Sequence, residues 1–246
     1  NINRKPNDIK KYVNADQFVN KSSVNVPFEL TIADKAILQD NSDFRVFEPE
    51  RGFSNGRTSY FHKSIAGYHA AKPKRIQNIY DFFISKNNLD VLNMLNVKYI
   101  IKNDPNNPLG VSRNANALGN AWFVKDVEIV ENDNQELLNL ANIDFKSTLV
   151  TQDKTLKSTK FSLSDLNSII LSSRTANELV YNSSTNSNQL VVFSEAFYKH
   201  GWQAYIDDVP VDHYRVNYLL RGLVVPKGDH EIIFNFKPKV VYTGSY

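Results

Sequence analysis

Apolar positions change their spacing partway along this chain. Up to residue 150, helical and strand periods alternate. Residues 24–30 are expected to hold one strand after an irregular start, and residues 33–39 have helical spacing with Thr31 or a neighbour as the cap. Residues 44–47 alternate up to Pro49, as a strand does. Residues 50–57 are rich in Gly, Ser and Asn and read as a loop. The clearest helical period runs over 71–86. Ile76, Ile79, Tyr80 and Phe83 recur on one side, and Pro73 sits in the first turn, where a missing N–H costs little. A second helix is expected over 89–95, a buried strand over 97–101, a loop over 104–120 and a strand over 121–130. Asp133 should open another helix, with Glu136 three residues on as in a capping box.

Residues 151–159 (TQDKTLKST) are polar and read as a linker. Beyond them helical periods fade. Strand-like runs fall at 168–173, 178–181, 189–194, 202–206, 209–216, 219–225 and 230–236, and 182–188 is a polar loop. Turn signals stand at Asp207-Asp208, at Asn217 and at residues 226–229. The pattern predicts an α+β chain: an N-terminal α/β domain over 1–150, then a C-terminal antiparallel β-sandwich, jelly-roll-like, over 158–246.

Composition narrows the chemistry. The 246 residues carry 29 basic and 26 acidic side chains, a net charge of +3, with no concentrated basic stripe, so no nucleic-acid partner is expected. There is no cysteine, which excludes disulfides, thiolate catalysis and cysteine-ligated zinc. No run approaches the roughly 20 apolar residues of a membrane helix. The chain begins at Asn1 without Met and ends inside an apolar trend, so both ends read as cuts in a longer protein whose membrane segments lie outside this piece. No nucleophile elbow, phosphate-binding loop or dinucleotide fingerprint is present, and no cofactor is expected.

Two constellations carry candidate chemistry. In the C-terminal block, Trp202 and Tyr205 could stack on the apolar face of a pyranose while Asp207, Asn217 and Arg221 take its hydroxyls. The plainer reading makes the aromatics core residues and Asp207-Asp208 a hairpin turn. In residues 59–72, Tyr60, His62, Tyr68, His69 and Lys72 crowd the approach to a helix, with Lys74 and Arg75 just beyond. Helix N-terminal amides beside these cations suit a phosphate or pyrophosphate. His62 and His69 are seven apart, but Gly67 interrupts the helix and no carboxylate completes a site, so no metal is expected.

Ser194-Glu195, Gly201-Trp202, residues 204–207, Asn217-Tyr218, Leu220-Arg221, Val225-Pro226, Gly228, His230 and residues 236–238 stand in an order and spacing that resemble the extracytoplasmic C-terminal domain of YfhO-like bacterial multi-pass membrane proteins. Asp208 stands where that family often has Gly. The segments 59–72, 89–101 and 119–124 also look like this family. Relatives of such proteins are membrane glycosyltransferases that use lipid-linked sugars, with a catalytic Asp in an early loop between membrane helices. The resemblance therefore implies a soluble domain on the extracytoplasmic (periplasmic) face of a bacterial inner membrane, engaged in cell-envelope glycosylation. It would be accessory and inactive alone, contacting the parent's membrane helices and an envelope glycan or a lipid-linked sugar. Two alternatives stand beside it: a stand-alone carbohydrate-active hydrolase, which needs paired carboxylates at roughly 5–10 Å, and a purely structural interaction module.

Overall fold

The computed structural model describes residues 24–67, 71–103, 106–158 and 161–238. Helix α1 (Ile32–Ile37) begins at a full capping box: the Thr31 hydroxyl accepts the Asp34 amide, and the Asp34 carboxylate accepts the Thr31 amide. Residues 24–30 form no strand; they find no partner strand, and Val24 and Val26 stay exposed. Strand β1 (Arg45–Phe47) pairs in parallel with β2 (Val97–Ile101), which pairs antiparallel with β3 (Val111–Arg113) inside the expected loop. The short helix α2 (Arg57–Phe61) follows β1.

The long helix expected over 71–86 is shorter. Helix α3 (Lys74–Phe82) starts only after Pro73, because a proline disfavours helical backbone in the residue before it. Phe83 then leaves helical geometry, and a 3-10 turn (Ile84–Lys86) ends at left-handed Asn87. Helix α4 (Leu89–Met94) is capped by the Asn88 side chain. The strand expected over 121–130 is two strands in different sheets, β4 (Ala121–Val124) and β5 (Asp126–Ile129). Helix α5 (Asp133–Asn139) is capped by Asn132, which accepts the Gln135 amide, and not by Asp133. Glu136 is therefore not a capping residue; it turns inward and is fully buried. Strand β6 (Thr148–Thr151) pairs in parallel with β5.

The C-terminal strands are β7 (Ser168–Arg174), β8 (Glu178–Thr185), β9 (Gln189–Ala196), β10 (Trp202–Ile206), β11 (Val209–Val211), β12 (Tyr214–Val216), β13 (Leu220–Val225) and β14 (Gly228–Phe236). The chain is thus strand-rich, and these strands form antiparallel sheets in a manner compatible with a sandwich. One sheet runs β11-β10-β14-β8-β7 and the other β12-β13-β9-β4. Strand β8 extends into the expected polar loop as far as Thr185, since residues 182–185 are in register with β14. The run expected over 209–216 breaks in two, and β11 and β12 join different sheets.

The two sheets share a core. Leu179 and Tyr181 from β8 meet Val191 and Phe193 from β9, Leu223 and Val225 from β13, and Ile232 and Phe234 from β14. Tyr181, Phe193 and Phe234 pack edge to face; two of these pairs lie 4.8 and 4.9 Å apart, each adding about 0.5–1.5 kcal/mol beyond area burial. The alternate residues of β9, Leu190 and Val192, face a second core built with α3, α4, β2 and β6. Both faces of β9 are dry, which is why residues 189–194 read as an unbroken apolar run. The β4–β9 pairing and this second core carry packing from one side of the expected 151–159 linker to the other.

Candidate functional site

Trp202 opens β10 at a place where its ring is only partly covered. The preceding Gly201 makes this possible, because a Cβ there would lie 2.1 Å from the Phe236 ring. Trp202 lines three clefts. The largest, about 840 Å³, also takes Phe197, Gln203, Asp212, Tyr214 and Arg215 into its walls. A second of about 660 Å³ lies against the start of α3, and a third of about 570 Å³ holds Asp43, Arg45, Arg174 and Glu195.

Beneath Trp202 lies Arg221, whose guanidinium carbon is 4.1 Å from the indole ring and 5.2 Å from Phe234. It projects on the same side of β13 as Leu223 and Val225 and is 2% exposed. Its Nε donates to the Ala196 carbonyl at 2.9 Å, while its Nη1 is buried with no partner. Burial pulls the guanidinium down to about 10, against the opposing pull of Glu195. Burial would likewise raise the Glu195 carboxyl, but Arg45 and Arg174 outweigh it and hold the group below its ordinary range. Arg45 donates to Glu195 at 3.0 Å and Arg174 at 2.5 Å. The Arg174 Nε lies 2.9 Å from the Asp43 carboxylate as an ion pair, without the N–H aimed at it.

A neighbouring network holds the β12–β13 turn. Glu136 accepts the Tyr218 amide at 2.9 Å, Arg215 at 3.0 Å and Gln152 at 2.7 Å. Asp133 binds Arg75 at 2.6 Å, and these bonds, chiefly that from Arg75, bring its carboxyl down to about 2. Arg75 also donates to the Tyr218 carbonyl and stacks 4.4 Å from its ring. His213 lines the largest cleft with a buried, unpartnered Nε2. Burial, aided by Arg221, brings it down to about 4, so the ring is neutral at pH 7.

The structure brings Trp202, Arg221 and Arg75 together and separates the other sequence candidates. Tyr205 lies on the outer side of β10, since Ala204 and Ile206 turn inward; its hydroxyl donates to Gln203. Asp207 sits in the two-residue hairpin with Asp208, both left-handed, and binds His230 at 2.6 Å. Asn217 is fully buried: its amide donates to the Val150 carbonyl at 2.7 Å, and its side chain accepts the Val150 amide at 3.0 Å. It serves as a strand partner for β6. Tyr60 is exposed against Phe28 and Phe61. His62 is turned in to Asp34 at 2.9 Å. Lys72 lies 3.6 Å above the Phe53 ring, and burial lowers its pKa. Tyr68 and His69 lie outside the described residues. Among the described residues no group of three His, Asp or Glu side chains could hold a metal ion.

Sequence reasoning passed over Phe197, Lys199, His213, Arg215 and the Arg45–Glu195–Arg174 cluster. Glu195 stood in a block that carried the resemblance. Its partners come from β1 and β7, and no spacing rule links residues so far apart.

The comparison with known families decides the context of this region. A model described as bacterial membrane protein YfhO matches residues 127–246. That segment belongs to the YfhO family. It contains Trp202, Arg221, Glu195 and Glu136; α3 and β1 precede it. No curated protein and no solved structure matches the chain. Among the described residues no helix is long and apolar enough to cross a membrane.

Proposed function

We propose that this chain is the extracytoplasmic, accessory part of a YfhO-like membrane protein engaged in cell-envelope glycosylation. In this reading it holds an envelope glycan in the large cleft beside Trp202 and is inactive without the parent's membrane helices. The observation that carries the reading is the partly open Trp202 ring, fixed from below by Arg221 and shared by three clefts. A pyranose needs one apolar platform and several hydrogen-bonding groups around it. Phe197 and Tyr214 extend the platform; Gln152, Gln203, Asp153 and Asp212 supply donors and acceptors at its sides.

The family supports the membrane context. The extracytoplasmic face, the partnership with membrane helices and the link to lipid-linked sugars follow from the resemblance and belong to the proposal. A purely structural module would need no aromatic-walled cleft. The hydrolase reading needs a free pair of carboxylates, and that of Asp207 is committed to His230 and to the Glu231 amide.

Isothermal titration of the chain with envelope mono- and disaccharides tests the proposal, with Trp202→Ala as the paired variant. Millimolar or tighter binding that the variant weakens about tenfold or more is expected, the loss of one stacking platform. Absence of heat with any sugar would remove the glycan from the reading. Turnover of a glycoside by the chain alone would overturn its inactivity.

A further inference from the structure

The cleft of about 660 Å³ at the start of α3 differs in character from the glycan groove. Its walls are Pro73, Ile76, Phe197, Tyr198, Trp202 and Leu219. Its charged groups are five cations, Lys74, Arg75, Lys199, Arg215 and Arg221, against the single carboxylate Glu195. Pairing within the protein accounts for only part of this excess. Arg75 and Arg215 are bound to Asp133 and Glu136, and Glu195 is bound to Arg45 and Arg174. Lys74 and Lys199 are exposed and make no ion pair among the described residues. Arg221 is 2% exposed and keeps one N–H-bearing nitrogen unpartnered.

An unpartnered guanidinium nitrogen at that depth is costly, on the order of 1–3 kcal/mol for a buried polar group and more for a charged one. A ligand anion reaching the cleft would relieve it. The nine residues of α3 point their amino end at the same cleft, with no side-chain cap and no acidic residue in the first turn. The first amides of a helix have no partner within it, and its dipole favours negative charge there. Apolar walls keep such an anion from full hydration. Helix amides, two free ammonium groups and a guanidinium suit the several oxygens of a phosphate better than one carboxylate.

We infer that this cleft is a phosphate-ester site built from the start of α3, Lys74, Lys199 and Arg221. The site shares Phe197, Lys199, Trp202 and Arg215 with the glycan groove, so one ligand can span both. The ligand class is then a saccharide bearing a phosphate ester; this extension rests on the glycan reading above, whereas the phosphate site itself does not.

The test titrates the whole chain with glucose, glucose 1-phosphate and inorganic phosphate, following tryptophan fluorescence, to which Trp122 and Trp202 both contribute. A flotation arm uses phosphatidylcholine vesicles with and without phosphatidic acid. Glucose 1-phosphate should bind about tenfold or more tightly than glucose, an advantage that added salt erodes. The double variant Lys74→Ala/Lys199→Ala should remove most of that advantage, and Lys74→Ala alone, whose side chain lies outside the glycan groove, should leave glucose affinity unchanged. Arg221→Lys should weaken both phosphate probes; the lysine pair decides the matter if that variant fails to fold. Lysine-dependent binding of either the soluble ester or the phosphatidic acid vesicles upholds the site and shows which ester supplies the phosphate. Indifference of both to the lysines overturns it. Glucose binding equal to glucose 1-phosphate, with no lysine-dependent capture by the phosphatidic acid vesicles, would overturn the phosphate site while sparing the groove.

Discussion

Two regions of this protein look alike in sequence and opposite in structure. The segment 57–72 and the segment 194–221 both mix aromatics, two histidines and several cations. In the first, Arg57 and His62 are closed on neighbouring carboxylates. Arg57 pairs with Asp34 and faces Glu48; Thr58 donates to Glu48 at 2.6 Å, Arg51 at 2.5 Å, and His62 meets Asp34 at 2.9 Å. Burial would raise the Asp34 carboxyl, yet hydrogen bonds from Arg57, Thr31 and His62 hold it far below the usual carboxylate range. In the second, cations outnumber the carboxylates that reach them, and Arg221 keeps an idle nitrogen. A network with every group satisfied holds a fold together. One left short of a partner at a cleft is the better candidate for a ligand.

The largest expected effect lies in the closed network. Arg57→Met should cost about 3–5 kcal/mol by urea denaturation, because it strands Asp34 and part of Glu48 as buried charge. A loss under about 1 kcal/mol would show that water reaches these carboxylates and that the two regions do not differ in kind.

Next comes the support of Trp202. Gly201→Ala should cost about 1–3 kcal/mol, since the new methyl overlaps Phe236 and one of them must move. Sugar titration should weaken with it, as the Trp202 platform shifts. Full stability with unchanged binding would break the link between this glycine and the site.

A third test uses pH. His213 is neutral when folded and sits at about 4, below its unfolded value near 6.5. A group held below its unfolded pKa contributes stability that is fully present above 6.5 and lost as pH falls toward 4. Asp133, at about 2 when folded, adds a second loss from about 4 downward. Melting curves should show both steps, and His213→Phe should flatten the upper one alone. An upper step that survives this variant would assign it elsewhere.

The smallest effect concerns the open region. Lys74→Ala should change stability by no more than about 0.5 kcal/mol, as an exposed, unpaired side chain. A larger loss would mean that the cleft's cations already do structural work.

Strand and helix existence was largely legible. The period over 71–86 located α3, the alternation through Trp202, Ala204 and Ile206 gave the inward face of β10, and Asp207-Asp208 marked a hairpin. Boundaries were less legible where local signals competed. Pro73 delayed α3, Asn132 displaced Asp133 as a cap, and small polar residues 182–185 joined β8 because β14 offered a register.

By itself, the sequence determined the strand-rich C-terminal region and its family, because alternation and turn chemistry are local and the block order is specific. It also marked Trp202 and Arg221 as worth watching. Only the tertiary structure decided their roles. Arg221 stacks under Trp202, Asn217 completes a strand, Glu136 anchors a turn, and Glu195 receives arginines from β1 and β7. Those partners are up to 150 positions apart, and burial depends on which faces meet, something no periodicity along one strand contains.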